Sequence, residues 1–268
     1  MSNQIVVKNL NQIFKEGKKH FHAVNNVSFS VEKGQCLGIV GESGSGKSTL
    51  AKMILGTLKP TSGEIQIDTI NFWALSKKEK RNFHKKVQMI YQDPLSSFSP
   101  RMKIGEYICE PRINYDKISK EEAIKEAKDL LKAVELPEDF MDRYPHQLSG
   151  GQLQRVAIAR ALAIHPEVLI CDEATSALDV SIQKQILVLL NKIQRERHLT
   201  CLFICHDLAV VKNISDKIIV MYNGQVVEEL KSSELVTKAT HKYTKQLLAS
   251  SFDVYCDQTK EIPIVEVV

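Results

Sequence analysis

The chain has 268 residues, of which 43% are hydrophobic and 25% are charged. This length and composition are typical of one large globular domain, or of one domain with an inserted subdomain. The net charge of +4 is too small to indicate nucleic-acid binding by itself. Residues 1–9 lack a signal-peptide pattern and no run approaches about 20 apolar residues, so we expect no transmembrane helix. Any connection to a membrane is then expected to pass through a partner protein.

The first part of the chain is predicted to form β-strands. Residues 5–10 indicate an opening strand, residues 17–19 a turn, and residues 27–31 alternate between apolar side chains and serine. An aromatic side chain in this region could stack on a nucleotide base, and Phe21 is the candidate. Simple packing in the core is the alternative.

A phosphate-binding loop at residues 41–48 fits the pattern G-x-x-x-x-G-K-[ST]. The apolar residues 36–40 predict a buried strand before the loop, and a predicted helix follows it. Glycines and a helix N-terminus direct free N–H groups to one point, where Lys47 adds a charge for the outer phosphates and Ser48 a hydroxyl for Mg²⁺. The predicted nucleotide-binding residues of this segment are Gly41, Glu42, Ser43, Gly44, Ser45, Gly46, Lys47, Ser48 and Thr49.

A predicted strand at residues 87–91 ends at Gln92, where an amide side chain can reach a magnesium ion or a water molecule. Five prolines then punctuate residues 93–147, and Ser119 with Glu122 predicts the start of an amphipathic helix. We interpret residues 93–158, approximately, as a helical insertion in an α/β domain.

A second anion-binding pattern follows at residues 149–152, where Ser-Gly-Gly-Gln begins a predicted helix. Lys47 already supplies one phosphate site. Two such patterns in one chain suggest that two chains share a nucleotide between them. The alternative is an N-cap followed by flexible glycines.

Two carboxylates end the next apolar strand, residues 168–171. Asp172 would hold magnesium, and Glu173 would polarise the attacking water; a solvated acidic turn is the alternative. A turn that ends at Asp179 leads into a predicted helix over residues 180–197. The following strand, residues 200–205, ends at His206, which could donate to a γ-phosphate oxygen or be merely structural.

The remaining features concern the core and the tail. None of the six cysteines forms C-x-x-C, and four lie in apolar segments, which predicts free thiols in the core of a protein from a reducing cytosol. Tyr222-Asn223-Gly224 predicts a hairpin turn, and one or two helices are expected after residue 231. From residue 253 the sequence is mixed and is expected to be loose.

Taken together, these motifs resemble the ATP-binding subunit of ABC transporters over residues 6–248. The phosphate loop combined with Leu-Ser-Gly-Gly-Gln at residues 148–152 is the most specific part of the resemblance. It implies an α/β fold with a P-loop NTPase (RecA-like) core, an antiparallel β subdomain and an inserted helical subdomain. It also implies one ATP-binding domain over residues 1–250, a C-terminal tail over residues 251–268, and ATP hydrolysis with Mg²⁺.

The resemblance implies roles for individual residues. Catalytic roles fall on Glu173, His206 and Gln92, and magnesium ligands are Ser48, Gln92 and Asp172. Phe21 aligns with the aromatic residue that stacks on adenine, which is more often Tyr. Contacts to the γ-phosphate bound to the opposite subunit are implied for Ser149, Gly150 and Gly151. Nucleotide-binding roles are also implied for Gln152 and for Asp179, which falls in the D-loop.

A narrower resemblance points to importers of dipeptides, oligopeptides and nickel. It rests on residues 92–101, on Tyr-Pro-His-Gln at 144–147 and on His-Lys-Tyr-Thr at 241–244, although Lys242 and Phe98-Ser99 depart from the usual pattern. It implies a peripheral subunit on the cytoplasmic face of the bacterial inner membrane. The implied partners are two transmembrane permeases, a second ATP-binding subunit arranged head to tail and, indirectly, an extracytoplasmic substrate-binding protein, with no nucleic acid.

Two other functions remain open at this point: a soluble ABC-type ATPase that acts on ribosomes or DNA, and an exporter ATPase. The single cassette and modest helical insertion argue against the first, and residues 92–101 argue against the second. Peptides, nickel complexes and other metal chelates all remain open as substrates, because this subunit does not touch the substrate.

Overall fold

The structure, a computed structural model, describes residues 2–17 and 19–256, and it describes no side chain for Glu16 or for residues 252–256. Its strands are β1 (Asn3–Glu16), β2 (Lys19–Glu32), β3 (Cys36–Val40), β4 (Ser62–Ile67), β5 (Ile70–Asn71), β6 (Val87–Ile90), β7 (Val168–Asp172), β8 (Thr200–Cys205), β9 (Lys217–Tyr222) and β10 (Gln225–Lys231). Its helices are α1 (Lys47–Leu55), α2 (Lys77–Lys86), α3 (Ile104–Asp116), α4 (Lys120–Ala133), α5 (Gly150–Leu162), α6 (Val180–Arg197), α7 (Leu208–Ile214), α8 (Leu235–Lys238) and α9 (Lys242–Cys256).

The strands form two sheets of different kinds. The smaller sheet is antiparallel in the order β2-β1-β4-β5. The larger sheet has the order β10-β9-β3-β8-β7-β6 and is parallel except for the β9–β10 hairpin at its edge. This arrangement confirms the predicted α/β architecture with a separate antiparallel subdomain.

Successive side chains of the parallel strands point to opposite faces of the sheet, which divides the core into two layers. In β3, for example, Cys36 and Val40 face one hydrophobic cluster, and Leu37 and Ile39 face the other. The first cluster packs against α3 to α7, whereas the second packs against α1 and the antiparallel sheet. Because both faces are covered, the parallel strands are almost entirely apolar, which is why the sequence reveals them clearly.

The insertion between β6 and β7 is built from α3, α4 and α5. Ser119 caps α4 by accepting a hydrogen bond from the Glu122 N–H, as predicted. A bidentate ion pair joins the first two helices, since Arg112 on α3 donates to both carboxylate oxygens of Glu126 on α4 at 2.6 and 2.8 Å. The insertion therefore has internal polar contacts besides its apolar core.

Strand β1 is longer than the predicted segment, residues 5–10. Its pairing with β2 shifts register between Val7 and Leu10, and Asn9 has a left-handed backbone (φ 45°). This irregularity breaks the alternation that marks a strand in the sequence, so the strand looks shorter than it is.

The C-terminal part is more regular than predicted. Helix α9 continues to Cys256, so residues 253–256 are helical, and it runs without a break across the boundary proposed at residues 250 and 251. Residues 257–268, which complete the predicted tail, lie outside the described residues. The boundary itself stays a prediction.

The described cysteines lie in the core, as predicted. Cys36, Cys171, Cys201 and Cys205 all face the cluster on the α3–α7 side of the sheet, and Cys109 on α3 packs into the same cluster. Within residues 2–17 and 19–256, no helix combines the length and apolar character needed to cross a membrane.

Candidate active site

The polar residues predicted from separate motifs meet at one edge of the parallel sheet. Val40 at the end of β3 pairs with Cys205 of β8, and Asp172 at the end of β7 pairs with Ile204 of β8. The residues that follow these strand ends, Glu173 and His206 among them, therefore emerge side by side with the phosphate loop. Ligands of open parallel sheets bind at this carboxyl edge.

Lys47 is nearly buried, with 4% of its surface exposed. Its Nζ donates hydrogen bonds to the carbonyl oxygens of Gly41 at 2.6 Å and Glu42 at 2.8 Å, which draws the loop around the ammonium group. Burial lowers the pKa of Lys47, while the nearby charges of Glu173 and Asp172 oppose this shift. An anionic ligand would place further negative charge beside the buried ammonium group and so stabilise its charged form.

Gly46 precedes α1 with a left-handed backbone (φ 101°). A Cβ atom at this position would lie 2.2 Å from the carbonyl oxygen of Ala23 on β2, which is far too close. Only glycine therefore lets the helix N-terminus approach the antiparallel sheet while its free N–H groups point into the cleft. These N–H groups and the helix dipole fit a phosphate group.

Ser48 and Asp172 lie where a divalent cation would be held. The Ser48 hydroxyl donates to Oδ1 of Asp172 at 3.2 Å. Burial raises the pKa of Asp172, and the Ser48 hydrogen bond opposes the increase. A hydroxyl and a carboxylate are oxygen ligands of the type that Mg²⁺ takes together with phosphate oxygens. The residues therefore fit the predicted magnesium ion.

Glu173 has a left-handed backbone (φ 48°), which is costly for a residue with this side chain. Its N–H donates to the carbonyl oxygen of Ile204, and its own carbonyl oxygen accepts from the N–H of Ser176, so the conformation is held from both sides. The Glu173 carboxylate lies 3.8 Å from Nδ1 of His206. Strain of this kind concentrates at functional sites, and here it places a carboxylate beside the phosphate loop.

A cleft of about 210 Å³ connects these groups to the antiparallel sheet. Its lining contains the following predicted site residues: Phe21, Ser43, Gly44, Gly46, Lys47, Ser48, Thr49 and Glu173. Phe21 is 55% exposed, so it is not a core residue, and a flat ligand could cover its ring. The cleft thus has a cationic, N–H-rich end and an aromatic end, which suits a nucleotide.

Phe14 is a lining residue that sequence reasoning missed. It is 41% exposed, lines the same cleft and pairs directly with Phe21 across the β1–β2 hairpin. A signal was present, since Phe14 lies three residues before the predicted turn at residues 17–19 and Phe21 lies two residues after it. Folding the chain at that turn would have brought the two rings close together.

Other predicted residues lie apart from this cleft. Gln92 is exposed just beyond β6, at the same edge of the sheet, and is not among the lining residues. Asp179 caps α6, because its Oδ1 accepts from the Ile182 N–H at 3.0 Å. Ser149 and Gln152 form a reciprocal capping box at the start of α5, which leaves Ser149 and Gly150 exposed to solvent.

Comparison with known proteins shows which family has this combination of motifs. The profile of the family described as ABC transporter matches residues 24–176, which include the phosphate loop, the capping box of α5 and Glu173. The chain belongs to the ABC transporter family. It is an ATPase of that family, as the sequence motifs predicted.

Individual relatives cover most of the chain. YkfD of Bacillus subtilis is 46% identical over 246 residues, which are 91% of this chain and 75% of YkfD. OppF of Salmonella typhimurium, an oligopeptide transport ATP-binding protein, is 43% identical over 263 residues, 97% of this chain and 79% of OppF. The dimeric post-hydrolysis structure of the ATP-binding cassette MJ0796, bound to ADP and Pi, superposes with a TM-score of 0.78 at 36% identity, covering 85% of this chain and 98% of that one.

Proposed function

We propose that this chain energises a bacterial importer of peptides by hydrolysing ATP at the inner face of the membrane, bound to two permease subunits. Its relative OppF is named as an oligopeptide transport protein, and YkfD carries a provisional name of the same kind. Both names support peptides as the cargo over nickel. The proposal includes an indirect partner, an extracytoplasmic protein that delivers the substrate.

The observation that carries the proposal is the exposed start of α5. Ser149 and Gly150 present a helix N-terminus to solvent, and the cleft around Lys47 is lined by other segments of the described chain. A helix N-terminus binds phosphate groups well. Two copies, or this chain and a paralogue, would complete both sites if each placed its α5 over the cleft of the other. The dimeric, ADP- and Pi-bound state of MJ0796 supports such an arrangement.

Within each composite site the residues would divide the work of phosphoryl transfer. The loop N–H groups and Lys47 would bind the phosphates, and Ser48 and Asp172 would hold Mg²⁺, which supplies positive charge against the phosphate oxygens. Glu173 would accept a hydrogen bond from the attacking water and orient it in line with the bond that breaks. His206, 58% exposed at its side chain, would donate to the transferred group.

A polar network supports coupling between α5 and the segment that follows Gln92. Arg160 on α5 donates to the carbonyl oxygen of Tyr107 on α3, and its guanidinium lies 4.2 Å from the centre of the Tyr107 ring. The Tyr107 hydroxyl in turn lies 2.9 Å from the Ser97 hydroxyl. A movement of α5 onto a nucleotide would thus be passed to residues 92–111, where we propose that the permeases dock.

Glu173→Gln tests the composite site. The amide oxygen is a weaker hydrogen-bond acceptor than the carboxylate and cannot take a proton from the attacking water, so we expect ATP turnover to fall by at least about 100-fold. The neutral side chain still fills the same space, so ATP binding and ATP-dependent dimer formation should persist, as measured by gel filtration with and without ATP. Unchanged turnover would refute the role of Glu173, and the absence of any nucleotide-dependent association with its natural partners would refute the composite site.

Uptake by a deletion strain tests the substrate. We expect loss of labelled dipeptide or oligopeptide uptake, restored by the wild-type gene and not by the Glu173→Gln variant. Loss of nickel uptake with normal peptide uptake would refute peptides as the cargo. Co-sedimentation with ribosomes or DNA, instead of co-purification with membrane permeases, would refute the importer and favour a soluble ATPase.

A further inference from the structure

The C-terminal helix makes a direct hydrogen bond to the phosphate-binding loop. The hydroxyl of Tyr243, in the first turn of α9, accepts the backbone N–H of Glu42 at 2.8 Å. Tyr243 is 6% exposed, and the two residues are 201 positions apart in the sequence. A buried contact over this distance links the loop to an element that none of the predicted nucleotide contacts uses.

The Glu42 residue is held on both sides. Its N–H donates to Tyr243, which does not line the cleft, while its carbonyl oxygen accepts from Nζ of Lys47 at 2.8 Å and from the N–H of Ser45 at 3.2 Å. These bonds fix the first turn of the loop. The orientation of that turn determines where the following N–H groups point, because successive peptide planes are coupled through only two soft dihedral angles per residue.

Helix α9 is itself anchored at the turn that carries Tyr243. Oε1 of Glu228 on β10 accepts hydrogen bonds from the Thr240 N–H at 2.6 Å, the Thr240 hydroxyl at 2.9 Å and the His241 N–H at 3.2 Å. The ring of Tyr243 also packs on Tyr222 at the end of β9, with centroids 4.4 Å apart. The phenol is thus held by two elements of the sheet and cannot swing away from Glu42 without loss of these contacts.

We propose that Tyr243 is a positioning residue for the phosphate-binding loop, through which α9 sets the affinity of the site for ATP. The hydroxyl accepts the Glu42 N–H and so keeps the first turn of the loop in its phosphate-binding form before ATP arrives. Without the Tyr243 hydroxyl, part of the free energy of ATP binding is used to order the loop, and the affinity for ATP falls. This inference depends on nucleotide binding alone and not on the substrate, the permeases or the dimer.

Tyr243→Phe in the full chain removes only the hydroxyl. The matched control is Tyr222→Phe, since the neighbouring Tyr222 ring is partly exposed and its hydroxyl has no hydrogen-bond partner among the described residues. Binding of a non-hydrolysable ATP analogue with Mg²⁺ is measured by titration calorimetry. We expect Tyr243→Phe to weaken binding about threefold to tenfold, the range of one lost hydrogen bond, and the control to stay within about twofold.

Two further readouts separate positioning from a general structural role. Hydrogen exchange of the Glu42 amide should accelerate by a similar factor in Tyr243→Phe, and in steady-state assays KM should rise while kcat stays within about twofold. A lower melting temperature with unchanged ATP affinity and unchanged Glu42 exchange would overturn the proposal, because the hydroxyl would then stabilise α9 and nothing more.

Glu228→Ala supplies a second variant in case Tyr243→Phe does not fold. It leaves the Tyr243 hydroxyl intact and removes the anchor of the turn that carries it. We expect weaker ATP binding in the same direction and faster exchange of the Glu42 amide. Wild-type affinity in a folded Glu228→Ala protein would overturn the proposal, since α9 would then not act on the loop.

Discussion

Gly150 and Gly151, the first two residues of α5, have different surroundings, and this difference provides a test of the composite site. A Cβ atom on Gly150 would lie 3.5 Å from Leu178, which is ordinary van der Waals contact. A Cβ atom on Gly151 would lie 2.5 Å from Cγ2 of Ile182 on α6, which forces a shift within the same chain. Gly150→Ala therefore changes the exposed surface, whereas Gly151→Ala also disturbs the core.

The expected effects on stability follow from these distances. Overpacking typically costs about 1–3 kcal/mol. At about 2–4 °C per kcal/mol for a domain near this size, Gly151→Ala should lower the melting temperature by roughly 2–12 °C. Gly150→Ala should stay within about 2 °C of wild type, because it meets no clash and alanine is favoured over glycine in a helix.

Gly150→Ala, which should hardly change stability, should nevertheless reduce ATP hydrolysis strongly. If the start of α5 contacts the nucleotide of the opposite subunit, the added methyl group of Gly150→Ala stands between the helix N–H groups and the phosphate. We expect hydrolysis to fall by at least about tenfold, equivalent to about 1.4 kcal/mol. Binding of ATP to the isolated chain should stay within about twofold, since the cleft around Lys47 lies elsewhere.

The assay combines thermal unfolding, ATP titration of the isolated chain and gel filtration of the Gly150→Ala, Glu173→Gln double variant with ATP. Loss of the ATP-dependent dimer in a stable protein that still binds ATP supports the composite site. A Gly150→Ala protein that dimerises and hydrolyses ATP like wild type would refute the reasoning, because no phosphate could then approach this helix closely.

Three further expectations concern binding, packing and pH. Phe21→Ala should weaken ATP binding about fivefold to tenfold at unchanged stability, and a titration that shows no change would mean that the base lies elsewhere. Gly38→Ala should lower the melting temperature by more than about 5 °C, since its Cβ would lie 2.0 Å from Val211 on α7; a smaller change would contradict the packing. The hydrogen bond from Arg112 lowers the pKa of Glu126, so this pair stabilises the fold above the ordinary carboxylate pKa and is lost as the pH falls through the lowered value. The stability difference between wild type and Glu126→Gln should therefore vanish in acid, and a difference that persists there would have another cause.

Local patterns were sufficient for much of the fold and site. Helix α6 occupies Val180–Arg197 and strand β8 occupies Thr200–Cys205, the ranges that periodicity and capping predicted. The phosphate loop was equally clear, because its glycines, lysine and serine act within eight consecutive positions. Strand β1 was underestimated, since its irregular pairing interrupts the alternation that a sequence reveals.

By itself, the sequence determines which short segments can bind phosphate, because N–H direction and side-chain spacing depend on neighbouring residues. Only the tertiary structure decides which of these segments meet. It joins the Glu42 N–H to the Tyr243 hydroxyl across 201 positions, and it leaves the start of α5 exposed outside the cleft of its own chain. Such contacts depend on strand order and helix packing, which are long-range properties that no local pattern encodes.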